Sequence, residues 1–196
     1  LVMSITPGPN NLMLLGSGAR FGLRRTLPHL LGIASGFLAV QLVTYAGVGA
    51  LILAYPALKG ALTVACVAYL LWLGYQLLRD GGPGAADSTP GGSTGGRPLS
   101  FQEAALFQLV NPKGWGSAVP AVGIVARDGL PPVYGLILLL AVSLVVVAPS
   151  ILVWTVFGAT LRPFLHVRWL RRLFNALMAT LILATAWWML QPLLAR

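Results

Sequence analysis

The chain has 196 residues, of which 57% are hydrophobic and 9% are charged, and its mean hydropathy is +0.83. Because soluble proteins carry about 25% charged residues, this composition excludes an ordinary soluble domain and predicts an all-α integral membrane protein. The net charge of +9 comes from 13 Lys and Arg against 4 Asp and Glu, and we interpret it as a topology signal rather than as a nucleic-acid-binding surface.

The first predicted membrane helix, from about Leu1 to Ala19, contains a run of turn-forming and polar residues. The run is Thr6, Pro7, Gly8, Pro9 and Asn10. Because prolines remove backbone donors and glycine frees the backbone to turn, we predict that one helix ends near Thr6 and another begins at Pro9. A helix break at membrane depth is tolerated where it lines a wet cavity, so it predicts a solute site. The alternative is a turn outside the membrane, with the first span beginning at Asn11.

The second span follows a short basic loop at residues 20–25. It is predicted to start at Pro28, which suits a first helical turn, and to end at about Tyr55. Gly32 and Gly36 form a G-x-x-x-G pair, which would let another helix approach closely. That helix belongs either to the same molecule or to a second copy in a homodimer.

A stretch rich in Gly, Pro and Ser divides the chain near its middle. Span three is predicted from about Ala57 to Leu78. Residues 80–100 can neither pack a core nor hold a helix, so we predict a flexible cytoplasmic linker there. The linker separates a first three-helix repeat at residues 1–79 from a second at residues 101–196.

The second half follows the outline of the first. Span four runs from near Phe101 to about Ala126, and it is interrupted by Asn111-Pro112-Lys113-Gly114. Span five covers about 131–158 and span six about 169–194. The prediction is therefore six transmembrane helices, with the first and fourth interrupted.

The spacing of prolines suggests that the two halves are copies of one unit. Pro9 and Pro28 are 19 residues apart, and so are Pro112 and Pro131. Two copies with three spans each have opposite orientations in the membrane, which is the inverted-repeat design of many secondary transporters. We therefore predict a 3+3 inverted repeat that works by alternating access.

The distribution of basic residues predicts the orientation. Nine Lys and Arg fall in the first, third and fifth joints between spans, and two fall in the second and fourth. By the positive-inside rule, the odd-numbered loops are cytoplasmic and both termini lie outside.

Lys113 is the one cation inside a predicted span, where insertion of a lysine costs about 2.5–3.5 kcal/mol. One interpretation is that its side chain reaches back to the membrane interface. The other is that its ammonium, together with the backbone amides freed at Pro9 and Pro112, receives an anionic group such as a carboxylate. Asn10 and Asn111 then supply neutral hydrogen bonds, or each caps its own helix.

Four features together resemble the lysine exporter (LysE) superfamily, in particular its threonine/homoserine efflux (RhtB) branch. They are the T-P-G-P-N run, the following Gly22, Gly32 and Gly36, the Tyr69–Arg79 end of span three, and Asn111-Pro112-Lys113. The resemblance covers essentially the whole chain. It implies a six-helix inner-membrane exporter of amino acids, driven by the proton gradient, with both proline motifs near the pathway. Members usually have more apolar residues before this point, so we expect an N-terminal piece to be missing from this sequence.

The resemblance and the helix breaks together assign the substrate pathway to two groups of residues. They are Thr6, Pro7, Gly8, Pro9, Asn10, Asn111, Pro112 and Lys113. Family members often have Gly seven residues and Asn three residues before the N-P-K asparagine, where this chain has Ala104 and Gln108. These departures affect the expected substrate more than the expected fold.

The acidic residues restrict the substrate. They are Asp80, Asp87, Glu103 and Asp128, and all fall in joints or at the edge of a span. A cationic side chain would find no fixed partner in the membrane, so we expect a neutral amino acid such as threonine, homoserine or leucine. Glu103 and His29 are the only titratable candidates for proton coupling near the membrane, and the alternative for each is an interfacial residue.

Two other functional classes stay open, divalent-metal efflux and a membrane-embedded enzyme. Divalent-metal efflux needs clustered soft or anionic ligands, whereas Cys66, His29 and His166 are far apart in sequence. A membrane-embedded enzyme needs a nucleophile beside a base or a metal, and no span shows such a pattern. The sequence therefore predicts no metal, no cofactor and no catalytic residue, and its expected partners are an amino acid, a proton and the lipid bilayer.

Overall fold

Proline and glycine positions decide where helices begin and turn in the computed structural model, which describes residues 2–79, 97–127 and 131–194. Every regular element in these ranges is helical. They are α1 (Val2–Ile5), α2 (Pro9–Val43), a π-helical turn (Thr44–Val48), α3 (Gly49–Ala54), α4 (Pro56–Arg79), α5 (Phe101–Val110), α6 (Pro112–Arg127), α7 (Pro132–Leu161), a 3₁₀ turn (Arg162–His166) and α8 (Arg168–Leu194). Most of the predicted linker, residues 80–96, lies outside the described residues.

Both predicted interruptions are confirmed. Helix α1 ends at Ile5 and α2 begins at Pro9, while α5 ends at Val110 and α6 begins at Pro112. Proline suits the first position of a helix because the missing N–H would have had no helical partner there. The same residue type therefore starts the helix after each break.

A single glycine, rather than a basic loop, joins the first two spans. Gly22 has φ +76, in the left-handed region that favours glycine, and it links helical residues 9–21 to helical residues 23–43. The predicted start of span two at Pro28 is therefore wrong, because Pro28 lies inside the second of these helices. Pro131, in contrast, directly precedes α7, so the equal proline spacing does not mark equivalent helix starts.

Among the described residues, four helices are long and apolar enough to cross a membrane. They are Pro9–Ile52, Pro56–Tyr75, Pro132–His166 and Arg168–Leu194. The first has 44 residues and turns at Gly22, so it comprises two helical units. Helices α5 and α6, with 10 and 16 residues, form a further interrupted unit. The described chain thus has six helical units.

Glycines allow the closest helix contacts. A side chain at Gly18 would collide with the carbonyl of Thr155, and one at Gly158 would collide with the carbonyl of Leu15, so α2 and α7 cross backbone to backbone. Gly32 and Gly36 lie in the same way against the backbone of α5. This glycine face of α2 is therefore occupied within the molecule.

Candidate functional site

The two helix breaks lie side by side although they are a hundred residues apart in sequence. The Lys113 ammonium, at the start of α6, donates to the Thr6 carbonyl oxygen and to Thr6 Oγ1, each at 3.1 Å. A Cβ built on Gly8 would lie 2.8 Å from Lys113 Nζ, so glycine leaves the room that the ammonium occupies. Lys113 therefore joins the break in one half of the chain to the break in the other.

The Lys113 side chain is partly buried, and within the described part of the chain its ammonium makes two hydrogen bonds, both to Thr6. A lysine ammonium has three N–H donors, and Thr6 accepts two of them. One N–H donor of the ammonium is therefore left over for another group.

Three side-chain amides, on Asn10, Gln108 and Asn111, form a cluster between the breaks. Asn10 and Gln108 make a reciprocal pair, with Asn10 Nδ2 donating to Gln108 Oε1 at 2.8 Å and Gln108 Nε2 donating to Asn10 Oδ1 at 3.0 Å. Asn111 Nδ2 donates to Asn10 Oδ1 at 3.3 Å. Gln108 and Asn111 are buried, so this amide cluster satisfies polar groups that would otherwise be stranded.

Side chains also satisfy the carbonyls at the end of the short helix α1. Asn11 Nδ2 donates to the carbonyls of Ser4 and Thr6, at 2.8 and 3.0 Å. Ser150 Oγ, from α7, donates to the Ser4 carbonyl at 2.7 Å. The last carbonyls of a helix need such partners, and here they come from outside the break itself.

A cavity of about 430 Å³, which we call the Lys113 cavity, opens beside the breaks. Asn10, Asn111 and Lys113 line one part of it, and Gln41 with Ser143 lines another. The remaining walls are mostly apolar. Its volume lies within the range of small-molecule sites, and a few polar groups on apolar walls are typical of such sites.

A second cavity of about 490 Å³, the His29 cavity, lies between α2, α4, α5 and α8. His29 lines it and is only 1% exposed, yet neither ring nitrogen has a hydrogen-bond partner among the described residues. Glu103 also lines it, but its carboxylate is paired with Arg97 at 2.7 Å and accepts from the Ser100 backbone N–H at 2.8 Å. Of the two titratable candidates, Glu103 is thus held by partners and His29 is not.

The structure brings part of the predicted set together. Thr6, Gly8, Asn10, Asn111 and Lys113 meet between the breaks, whereas Pro9 and Pro112 contribute by starting helices. Pro7 is exposed. His29 and Glu103 belong to the other cavity. Among the described residues, no three His, Cys, Asp or Glu side chains come close enough to hold a metal ion.

Sequence reasoning missed Gln41, Ser143 and Asn11, and it noted Gln108 only as a departure from a family pattern. Gln41 and Gln108 are buried, at 2% and 0% exposure. Their signal in the sequence is an amide within an apolar helix, where an unpaired polar group is expensive. That signal says that a partner exists but not where the partner lies.

Comparison with known proteins adds family membership. The family described as LysE type translocator matches residues 1–191. The chain is 33% identical over 114 residues to proteins named cysteine/O-acetylserine efflux protein from Escherichia coli (strain K12) and Shigella sonnei (strain Ss046). The match covers 58% of this chain and 54% of each relative, so the chain spans about half the length of the curated relatives it matches. No solved structure matches the chain.

Proposed function

Because the chain belongs to the LysE type translocator family, we propose that it is a multi-pass secondary transporter that exports neutral amino acids across the cell membrane. The observation that carries this proposal is the meeting of two helix breaks at Lys113 beside a cavity of about 430 Å³. Interrupted helices from the two halves of a transporter are where substrate sites are found.

The Lys113 cavity suits the carboxylate of an amino acid. The remaining donor of the Lys113 ammonium supplies a charge-assisted hydrogen bond to an anion, which is stronger than a bond between neutral groups. The α6 helix begins at Pro112, beside this ammonium, and the N-terminus of a helix carries partial positive charge. The amide cluster adds neutral polar groups at the same place. Together they make one end of the cavity a carboxylate site.

The same cavity favours a neutral side chain. No Asp or Glu is among its lining residues in the described part of the chain. A cationic side chain would therefore lose its hydration without gaining a counter-charge. Threonine, homoserine and leucine fit this requirement, and so do cysteine and O-acetylserine, which the relatives' names mention.

The packing supports an inverted repeat. Taking the six helical units in order, the first packs on the fifth through Gly18 and Gly158, and the fourth packs on the second through Gly32 and Gly36. If the two halves are copies, unit one corresponds to unit four, unit two to unit five, and unit three to unit six. Under this correspondence, the contact between units one and five is equivalent to the contact between units four and two. The correspondence also maps the contact of α4 with α8 onto itself. A pseudo-two-fold axis produces such a pattern, which supports our proposal of alternating access by rocking of one half against the other.

Proton coupling fits the His29 cavity better than the Lys113 cavity. A buried imidazole without a protein partner needs water or another ligand in the adjoining space, so protons can reach it. The charged and titratable groups that share this cavity are Arg20, Tyr69, Arg97 and Glu103. The basic residues around the Gly22 turn of α2 and before α5 support a cytoplasmic position for this cavity, with both termini outside.

Counterflow in proteoliposomes tests the proposed function. Vesicles that contain the purified protein and excess unlabelled amino acid should accumulate the labelled form of threonine, homoserine or leucine, and protein-free vesicles should not. Accumulation of lysine without any neutral amino acid would overturn the substrate class, and exchange of no amino acid would overturn the function. His29→Gln should retain counterflow but lose efflux driven by a proton gradient, and full gradient drive in this variant would reject His29 as the coupling group.

A further inference from the structure

The nitrogen and the oxygen of the buried Gln41 amide differ in their hydrogen bonding. Gln41 lies on α2, it is 2% exposed, and its Nε2 donates to Ser143 Oγ on α7 at 3.0 Å. Its Oε1 is buried and has no hydrogen-bond partner among the described residues. Ser143 therefore fixes the amide with the donor end occupied and the acceptor end open.

The open acceptor belongs to the Lys113 cavity, because Gln41 and Ser143 both line it. Buried polar atoms in native proteins nearly always have a partner, so the cavity is where Oε1 meets either an ordered water or a group of the substrate. Three other amides line this cavity: Asn10 and Asn111 bond to each other within the amide cluster, and Asn11 Nδ2 donates to the carbonyls of Ser4 and Thr6. Among the described residues that line the cavity, Gln41 thus carries the fully buried side-chain acceptor that has no hydrogen-bond partner.

The surroundings indicate which part of a substrate meets this acceptor. Apolar residues line the cavity on the same two helices, namely Phe37 on α2 and Val142, Val146, Val147 and Ile151 on α7. Positive charge and the amide cluster lie instead at the two breaks, on α5, on α6 and at the first residues of α2. A zwitterionic backbone matches the charged part, and a mostly apolar side chain with one hydrogen-bond donor matches the part around Gln41.

We propose that Gln41, oriented by Ser143, is the specificity-determining residue of the site and selects neutral amino acids whose side chain carries a hydroxyl or similar donor over apolar side chains of the same shape. This inference rests on the proposed function. It narrows the substrate class, because leucine and O-acetylserine, whose side chains carry no hydrogen-bond donor, become the poorest of the neutral substrates considered. A site that hydrogen-bonds a substrate hydroxyl rejects the analogue that lacks it, since the buried acceptor is then left unpaired.

Competition in the counterflow assay tests this inference with pairs of equal shape. Threonine should compete about tenfold better than valine, and homoserine about tenfold better than norvaline. Gln41→Leu should bring both ratios close to one by weakening threonine and homoserine. Gln41→Glu keeps an acceptor and should retain the preference, while Ser143→Ala should reduce it in part. Gln102→Leu changes an exposed amide on α5 and serves as the matched control, with unchanged ratios.

Each outcome bears on the inference separately from the proposed function. Exchange of amino acids by the native protein without any preference for the hydroxylated partner would overturn the inference and leave the function standing. An unchanged preference in a folded Gln41→Leu variant would overturn it as well. If that variant instead loses discrimination between threonine and its α-hydroxy acid analogue, Gln41 receives the α-ammonium and the side-chain assignment is wrong. Should Gln41→Leu fail to fold, the native ratios and Ser143→Ala still decide.

Discussion

The break between α1 and α2 leaves residues 6–8 outside any helix, whereas the break between α5 and α6 is confined to Asn111. The first is held by groups outside the break, because Asn11 and Lys113 both donate to the Thr6 carbonyl. The second supports itself, since Asn111 Oδ1 accepts from the Lys113 backbone N–H at 3.2 Å, two residues ahead. The comparison teaches that the geometry of the first break depends on the second, and that Lys113 transmits this dependence.

Removing the Lys113 ammonium, which links the two breaks, should have the largest effect on transport. Lys113→Ala should abolish counterflow, because it deletes both the charge for the carboxylate and the two bonds to Thr6. The protein should still insert and purify, since the prolines that start the helices remain. Lys59→Ala, on the exposed side of α4, is the matched control and should transport normally. Wild-type counterflow in Lys113→Ala would show that the ammonium serves only the membrane interface.

Displacing the Lys113 ammonium without removing it should have a smaller effect on transport. Gly8→Ala would place a methyl group 2.8 Å from Lys113 Nζ, so the ammonium must shift away from the first break. Gly8 has extended backbone, with φ −163, which alanine adopts without strain, so the thermal midpoint should change little. We expect transport to fall about tenfold, in proportion to a lost charge-assisted bond. Gly116→Ala meets no atom within 4 Å and is the control; equal transport by both variants would contradict the expectation.

Substitutions at Asn111, in the break between α5 and α6, should change mainly the stability of the protein. Asn111→Ala removes the bond to the Lys113 backbone N–H and the bond to Asn10, and loss of a helix cap lowers the free energy of unfolding by about 1 kcal/mol. Asn111→Asp keeps the acceptor for the backbone and should recover most of that stability. Thermal unfolding in detergent measures the difference. A larger loss in Asn111→Asp than in Asn111→Ala would mean that the cap is not what holds this break.

The smallest effect is expected at Thr6. Thr6→Val removes Oγ1 but leaves the carbonyl oxygen, so Lys113 keeps one of its two bonds to this residue. Counterflow should fall no more than a few-fold, because a single neutral acceptor contributes about 1 kcal/mol. Complete loss of counterflow in this variant would show that the hydroxyl itself contacts the substrate.

Local chemistry explains which parts of this fold were predictable. Pro9, Pro112 and the extended Gly8 act through their own backbones, so both breaks could be located from sequence. The turn at Gly22 was missed because a glycine signals conformational freedom without saying whether a turn uses it. Pro28 was misread for a related reason, since a proline suits a helix start but is also tolerated inside a helix when tertiary packing supports it.

The sequence by itself determined that this protein is helical and apolar, where its first and fourth units break, and that one lysine lies beside a break. Only the tertiary structure decided that Lys113 reaches Thr6, that Asn10 pairs with Gln108, and that Gln41 is held by Ser143 with its acceptor open. The physical reason is the range of the interactions. Helix starts and breaks arise from neighbouring residues, whereas each of these contacts joins residues about a hundred positions apart, and their pairing depends on how the helices pack.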